Sequence, residues 1–168
     1  MAAGATYEPI ATTTGTGSSG TVTFSSISSA YTDLRLIANL QLSSGGVYPY
    51  FRVGNGSVDS GNNYGMTVLR GNGSTAGSQR GTSFSTPDFV FPVSTSPNFQ
   101  LVIMDLMNYR NTTTYKTILL RANEASQGVS AQVCTWRSTS AINTISFIAP
   151  SDNWTTASTF TLYGIAAA

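Results

Sequence analysis

Hydrophobic and polar residues alternate with a period of two along most of this chain, in short runs separated by clusters of Gly, Ser, Asn and Pro. From Asp33 to Leu42 the residues Leu34, Leu36, Ala38, Leu40 and Leu42 share one face, with Arg35, Asn39 and Gln41 opposite beside Ile37. That pattern describes a strand with one face in a core and the other in water. The run Leu101-Val102-Ile103-Met104-Asp105-Leu106-Met107 carries apolar side chains on both faces, as in a strand covered on each side. A sandwich supplies one cover, and a neighbouring subunit is the candidate for the other.

Strands are expected near Tyr7 to Thr14, Gly20 to Phe24, Asp33 to Leu42, Tyr48 to Val53, Gly65 to Arg70, Phe89 to Val93, Phe99 to Arg110, Thr114 to Ala122, Ser130 to Arg137, Ile142 to Ala149 and Thr159 to Ile165. Asn55-Gly56 and Asn72-Gly73 read as type I′ turns. The stretch 71–85, rich in Gly, Ser and Thr, reads as a long exposed loop, and 71–98 as a segment for a specialised contact. No long helical periodicity appears. The fold class is therefore all-β, an antiparallel, jelly-roll-like β-sandwich forming a single domain over 1–168, with its structured core at about 7–165.

Composition narrows the chemistry. Only 9% of the 168 residues are charged, the net charge is +1, and 47 residues are Ser or Thr. There is no His, which removes imidazole as base, proton shuttle or metal ligand and with it the usual Ser-His-Asp and Cys-His systems. The eight cations, seven of them Arg, are scattered singly, so no stripe exists to displace counterions from a nucleic acid. No apolar run is long enough to span a bilayer, and no basic stretch followed by an apolar one opens the chain, so neither a membrane partner nor a signal peptide is expected. The single cysteine, Cys134, sits in an alternating run and reads as a small core residue.

Motifs that resemble chemistry have plainer readings. Gly15-Thr16-Gly17-Ser18-Ser19-Gly20 spells a dinucleotide fingerprint, but a strand rather than a helix follows it, so it reads as a turn. Asp59-Ser60-Gly61-Asn62-Asn63 offers one carboxylate, too few for a dedicated calcium site, and reads as a polar turn. The seven carboxylates, Glu8, Asp33, Asp59, Asp88, Asp105, Glu124 and Asp152, are well separated, and no pair forms a glycosidase-like motif. No catalytic residue, cofactor or metal is assigned. Asp105 is the most informative charge, because it interrupts an apolar run and is expensive to bury alone. Arg110, Arg121 and Arg137 are the candidates to answer it, within the chain or across a subunit contact, with Met104 and Met107 as candidate interface neighbours. Tyr48, Tyr50, Phe51, Tyr64, Tyr109 and Tyr115 are aromatic candidates for stacking on sugar or another subunit, with core packing as the blander reading.

The strings Tyr31-Thr32-Asp33-Leu34, Val68-Leu69-Arg70-Gly71-Asn72-Gly73, Asn108-Tyr109-Arg110-Asn111-Thr112-Thr113-Thr114-Tyr115-Lys116-Thr117, Trp136-Arg137-Ser138-Thr139-Ser140-Ala141-Ile142-Asn143 and Ser158 to Ile165 together resemble a β-sandwich virion module of tailed bacteriophages. The resemblance runs from about Tyr7 to Ile165 and weakens between Arg80 and Asn98. It implies a non-enzymatic capsid decoration, or cement, protein that binds the major capsid protein on the outside of the head and stabilises it. The alternative it implies is a receptor-binding or adhesive module of a tail fibre or head fibre, with host-surface glycan as partner. It also implies a homotrimer, made in the host cytoplasm and carried on the virion.

Overall fold

The computed structural model describes residues 6–166, so the first five and last two residues of the expected domain lie outside the described residues. Among the described residues there is no helix. Twelve strands follow one another: β1 (Tyr7–Thr14), β2 (Thr21–Phe24), β3 (Asp33–Leu40), β4 (Tyr50–Asn55), β5 (Ser57–Val58), β6 (Tyr64–Gly71), β7 (Ala76–Phe84), β8 (Gln100–Met107), β9 (Lys116–Glu124), β10 (Gly128–Trp136), β11 (Thr144–Ile148) and β12 (Thr159–Ile165). They form an eight-stranded sheet in the order β1-β12-β3-β8-β9-β10-β6-β7 and a four-stranded sheet in the order β2-β11-β4-β5. Every pairing is antiparallel. The chain crosses repeatedly between the two sheets, as a jelly-roll-like β-sandwich requires.

The alternation seen in the sequence is what holds the layers together. Leu34, Leu36, Ala38 and Leu40 of β3, Val102, Met104 and Leu106 of β8, and Ile118, Leu120 and Ala122 of β9 all turn inward and are buried. Phe51, Val53, Ile145 and Phe147 face them from the smaller sheet. Phe89, Phe147, Phe160 and Trp154 form a chain of aromatic contacts, with successive ring centroids 6.2, 5.6 and 5.4 Å apart. Burying each such ring stabilises the fold by roughly 1.5–3 kcal/mol. Cys134 lies in the same core, and burial pushes its thiol up to about 12. The hydroxyl of Tyr64 accepts from the Val53 N–H and has the carbonyls of Asp59 and Val53, at 2.9 and 3.0 Å, as acceptors for its one proton, tying a buried ring to the edge of the smaller sheet.

Three expectations change. The stretch read as a loop over 71–85 is largely β7, an edge strand held by its backbone to β6. Its side chains are mostly exposed, so no apolar alternation marks it. Phe89 to Val93 is not a strand; Phe89, Val90 and Val93 plug the core, with bridges only at Asp88 and Val93. The two Asn-Gly turns keep a left-handed backbone only at Gly56 and Gly73, so neither is type I′. At the second, Oδ1 of Asn72 accepts from the N–H groups of Ser74 and Thr75 and closes a longer loop. The glycine string forms the turn expected of it, and packing explains its composition. A Cβ on Gly15 would stand 2.2 Å from the Thr155 carbonyl oxygen, and one on Gly20 2.2 Å from that of Asp152.

Candidate functional site

The outer face of the eight-stranded sheet is the most unusual surface of the molecule. Register sets its rows. Arg35 of β3 lies beside Asp105 of β8, then Leu119 of β9, Val133 of β10 and Thr67 of β6. The next row runs Ile37, Ile103, Arg121, Ala131, Leu69, and the one after it Asn39, Leu101, Asn123, Val129, Gly71. Of the ten large apolar side chains that stand exposed among the described residues, six lie here: Leu69, Leu101, Met107, Leu119, Val129 and Val133, at 38% to 65% exposure. Such side chains scattered singly are ordinary, whereas a contiguous group on one flat face marks a contact surface.

Charge is placed sparingly in this face. Arg35 donates to Asp105 through two parallel bonds, Nε to Oδ1 at 2.6 Å and Nη2 to Oδ2 at 2.9 Å. Its Nη1 donates to the Tyr7 hydroxyl at 2.9 Å, and the guanidinium stands 5.6 Å from the centre of that ring. The bond to Asp105 raises the Arg35 guanidinium above its ordinary value. A shallow hollow of about 320 Å³ opens beside the pair, lined by Arg35, Ile103, Asp105, Leu119, Arg121 and Ala131. Arg121 forms no ion pair or hydrogen bond with its side chain among the described residues.

Within the chain, the expected partners of Asp105 are therefore corrected. Arg110 donates instead to the Ser29 carbonyl, and Arg137 to the Asn62 carbonyl and the Ser83 hydroxyl. Arg110 lies past the end of β8 and Arg137 past the end of β10, so neither shares a row with Asp105. Arg121 shares the hollow but not the bond, because Arg35 takes both carboxylate oxygens from the other side. The pleat also divides the two methionines: Met104 is wholly buried in the core, while Met107 stands on the outer face. Arg35 is not among the sequence candidates, and the signal that could have found it is its place on the wet face of β3. The period-two positions Leu119, Val129 and Val133 likewise extend the two-faced pattern of β8 to β9 and β10.

The remaining carboxylates have partners within the fold. Asp33 accepts from the Asn108 N–H, Asp88 from that of Val90, and Asp152 from those of Ser44, Gly45 and Asn153. Glu8 accepts from Tyr31, and Glu124 from Ser94 and Ser126. Asp59 organises the turn expected of it. Burial pushes its carboxyl up, but bonds from the Trp136 indole, the Asn63 amide and the Gly61 N–H outweigh that and hold it below its ordinary value. Among the aromatic candidates, Phe51, Tyr64 and Tyr109 are core, Tyr50 is covered by Arg52, and Tyr48 and Tyr115 are exposed along different hollows.

No family model matches the chain, and no curated protein does. Solved structures that it is similar to include alginate lyase Aly36B, at 11% identity over 86% of this chain and 78% of that one, with a TM-score of 0.34. A double mutant of that lyase in complex with alginate tetrasaccharide is similar at 10% identity over 88% and 81%, with a TM-score of 0.32. At such scores the likeness transfers neither activity nor substrate. The expectation of a capsid decoration protein, and of a fibre receptor-binding module as its alternative, is corrected: no family model and no curated protein ties the chain to a virion. Two of the strings behind that expectation contain turns closed by a single asparagine, Asn72 and Asn111, whose bonds are local turn chemistry.

Proposed function

We propose that this protein is a non-enzymatic β-sandwich that works by self-association, with the outer face of its eight-stranded sheet as the contact between copies. The observation that carries this reading is the gathering of six of the ten exposed large apolar side chains on that one face. Size supports it. Strands about 4.8 Å apart, with outward side chains repeating every ~6.8 Å, give each outward position roughly 33 Å². Four rows across β3, β8, β9, β10 and β6 then offer on the order of 650 Å² of flat area, close to the ~800 Å² per partner of a stable interface. The engagement of the carboxylates in turns and strand pairs is in keeping with a structural protein.

Sedimentation velocity of the wild-type chain and of Leu119→Asp and Val133→Asp variants tests this. Both positions are outward and partly exposed, so the substitutions leave the core intact. The wild type is expected to associate as concentration rises, and both variants to stay monomeric while melting as folded proteins at the temperature of the dilute wild type. A wild type that remains monomeric overturns the reading.

A further inference from the structure

Resting on the self-association reading, we propose that Asp105 and Arg121 set its register: two copies meet face to face across a two-fold axis parallel to the sheet, and Arg121 of each pairs with Asp105 of the other. The sheet places Ile103 opposite Arg121 and Asp105 opposite Leu119. In this four-residue unit the charges occupy one diagonal and the apolar side chains the other. Asp105 accepts two bonds from Arg35, yet a carboxylate has about four acceptor sites, and its side chain remains 19% exposed in the hollow. Arg121 lines the same hollow as a cation with no partner of its own among the described residues. The face thus holds an acceptor with capacity left and a donor set with no protein partner among the described residues, one row and one strand apart.

A two-fold contact is self-complementary, so whatever Arg121 meets on the second copy must meet Arg121 in return. An axis passing between Asp105 and Arg121 satisfies both at once and forms two identical pairs. The same axis runs close to the Ile103 and Leu119 diagonal, so these side chains meet their own counterparts at the centre. The result is an apolar centre flanked by two charge-assisted contacts, with the strands of the two sheets crossing steeply, nearer the orthogonal than the aligned class of sheet packing. Leu119 and Ile103 supply the contact area, and the charges choose one arrangement among those an apolar face permits.

Two full-length variants test the register by sedimentation equilibrium. Arg121→Glu sets glutamate against the partner's Asp105. The double variant Arg35→Glu/Asp105→Lys reverses the pair within the chain, so that the introduced lysine keeps a neighbour to bond, and sets that lysine against the partner's Arg121. Each alone is expected to weaken the dimer by about a hundredfold while its melting temperature shows it folded. An equimolar mixture of the two is expected to recover dimer to within about tenfold of wild type, because the mixed pair restores opposite charges at both contacts. Variants that dimerise like wild type, a mixture that stays monomeric, or a wild-type trimer would each overturn the register while leaving self-association standing. A monomeric wild type would overturn both.

Discussion

At the scale of single residues, polar groups in this protein are held by bonds to segments distant in the chain, which the sequence does not display. Asp59 is the clearest case, since a carboxylate in a plain turn serves as acceptor for the Trp136 indole across 77 positions of sequence. Its carboxyl lies below the ordinary value in the folded chain, so between the folded and unfolded values the unfolded state binds more protons. The stabilisation is fully present above the unfolded value and is lost as pH falls through the folded one. Urea unfolding should therefore show the wild type losing more stability between about pH 5 and about pH 3 than Asp59→Asn does; parallel losses in the two proteins would mean that these bonds contribute nothing. Lys116 is a contrasting case. Its ammonium is buried without a carboxylate and donates to the carbonyls of Thr114 and Thr139 at 2.8 and 3.2 Å, and burial lowers its pKa. Nothing in its sequence context distinguishes it from a surface lysine, because one of the carbonyls that hold it comes from a segment 23 positions away.

At the scale of elements, the period-two pattern locates the strands that pack one face on the core and misses β7, which packs neither. β3, β8, β9, β10 and β12 lie close to their expected positions because each packs alternate side chains on the core. β7 escapes because it is held by hydrogen bonds of its backbone at a sheet edge. Loops obey a different constraint, close approach. The turn over 15–20 packs so tightly on the segment between β11 and β12 that Gly20→Ala would drive a methyl group into the Asp152 and Ala149 carbonyls, at 2.2 and 2.5 Å. A loss of about 1–3 kcal/mol in unfolding free energy is expected, measurable as a lower urea midpoint at unchanged slope. Full stability in that variant would show that the loop moves freely away from its neighbour.

At the scale of the whole molecule, two sheets of unequal size leave a broad face uncovered. The four-stranded sheet covers part of one side of the eight-stranded one, and none of the described residues covers the other side, where Leu69, Leu119, Val129 and Val133 stand in water. If copies of the chain cover it, association stabilises the folded state by mass action, and the melting temperature should rise with protein concentration. Calorimetry over a hundredfold range, about 1 to 100 µM, should show a shift of several degrees in the wild type and none in Leu119→Asp; a concentration-independent wild type would count against any self-association. Before any folding is considered, the sequence determines the strand class, the inward set on β3 and β8, the buried Cys134 and the oddity of an aspartate in an apolar run, because all of these depend on local period and residue chemistry. Only the tertiary structure decided that within the chain Arg35, not Arg110, Arg121 or Arg137, holds Asp105, and that five neighbouring strands pool their outward side chains into one surface. The reason is physical: pairing between β3 and β8, 70 positions apart at Arg35 and Asp105, is set by how the whole sandwich closes, and no local pattern records it.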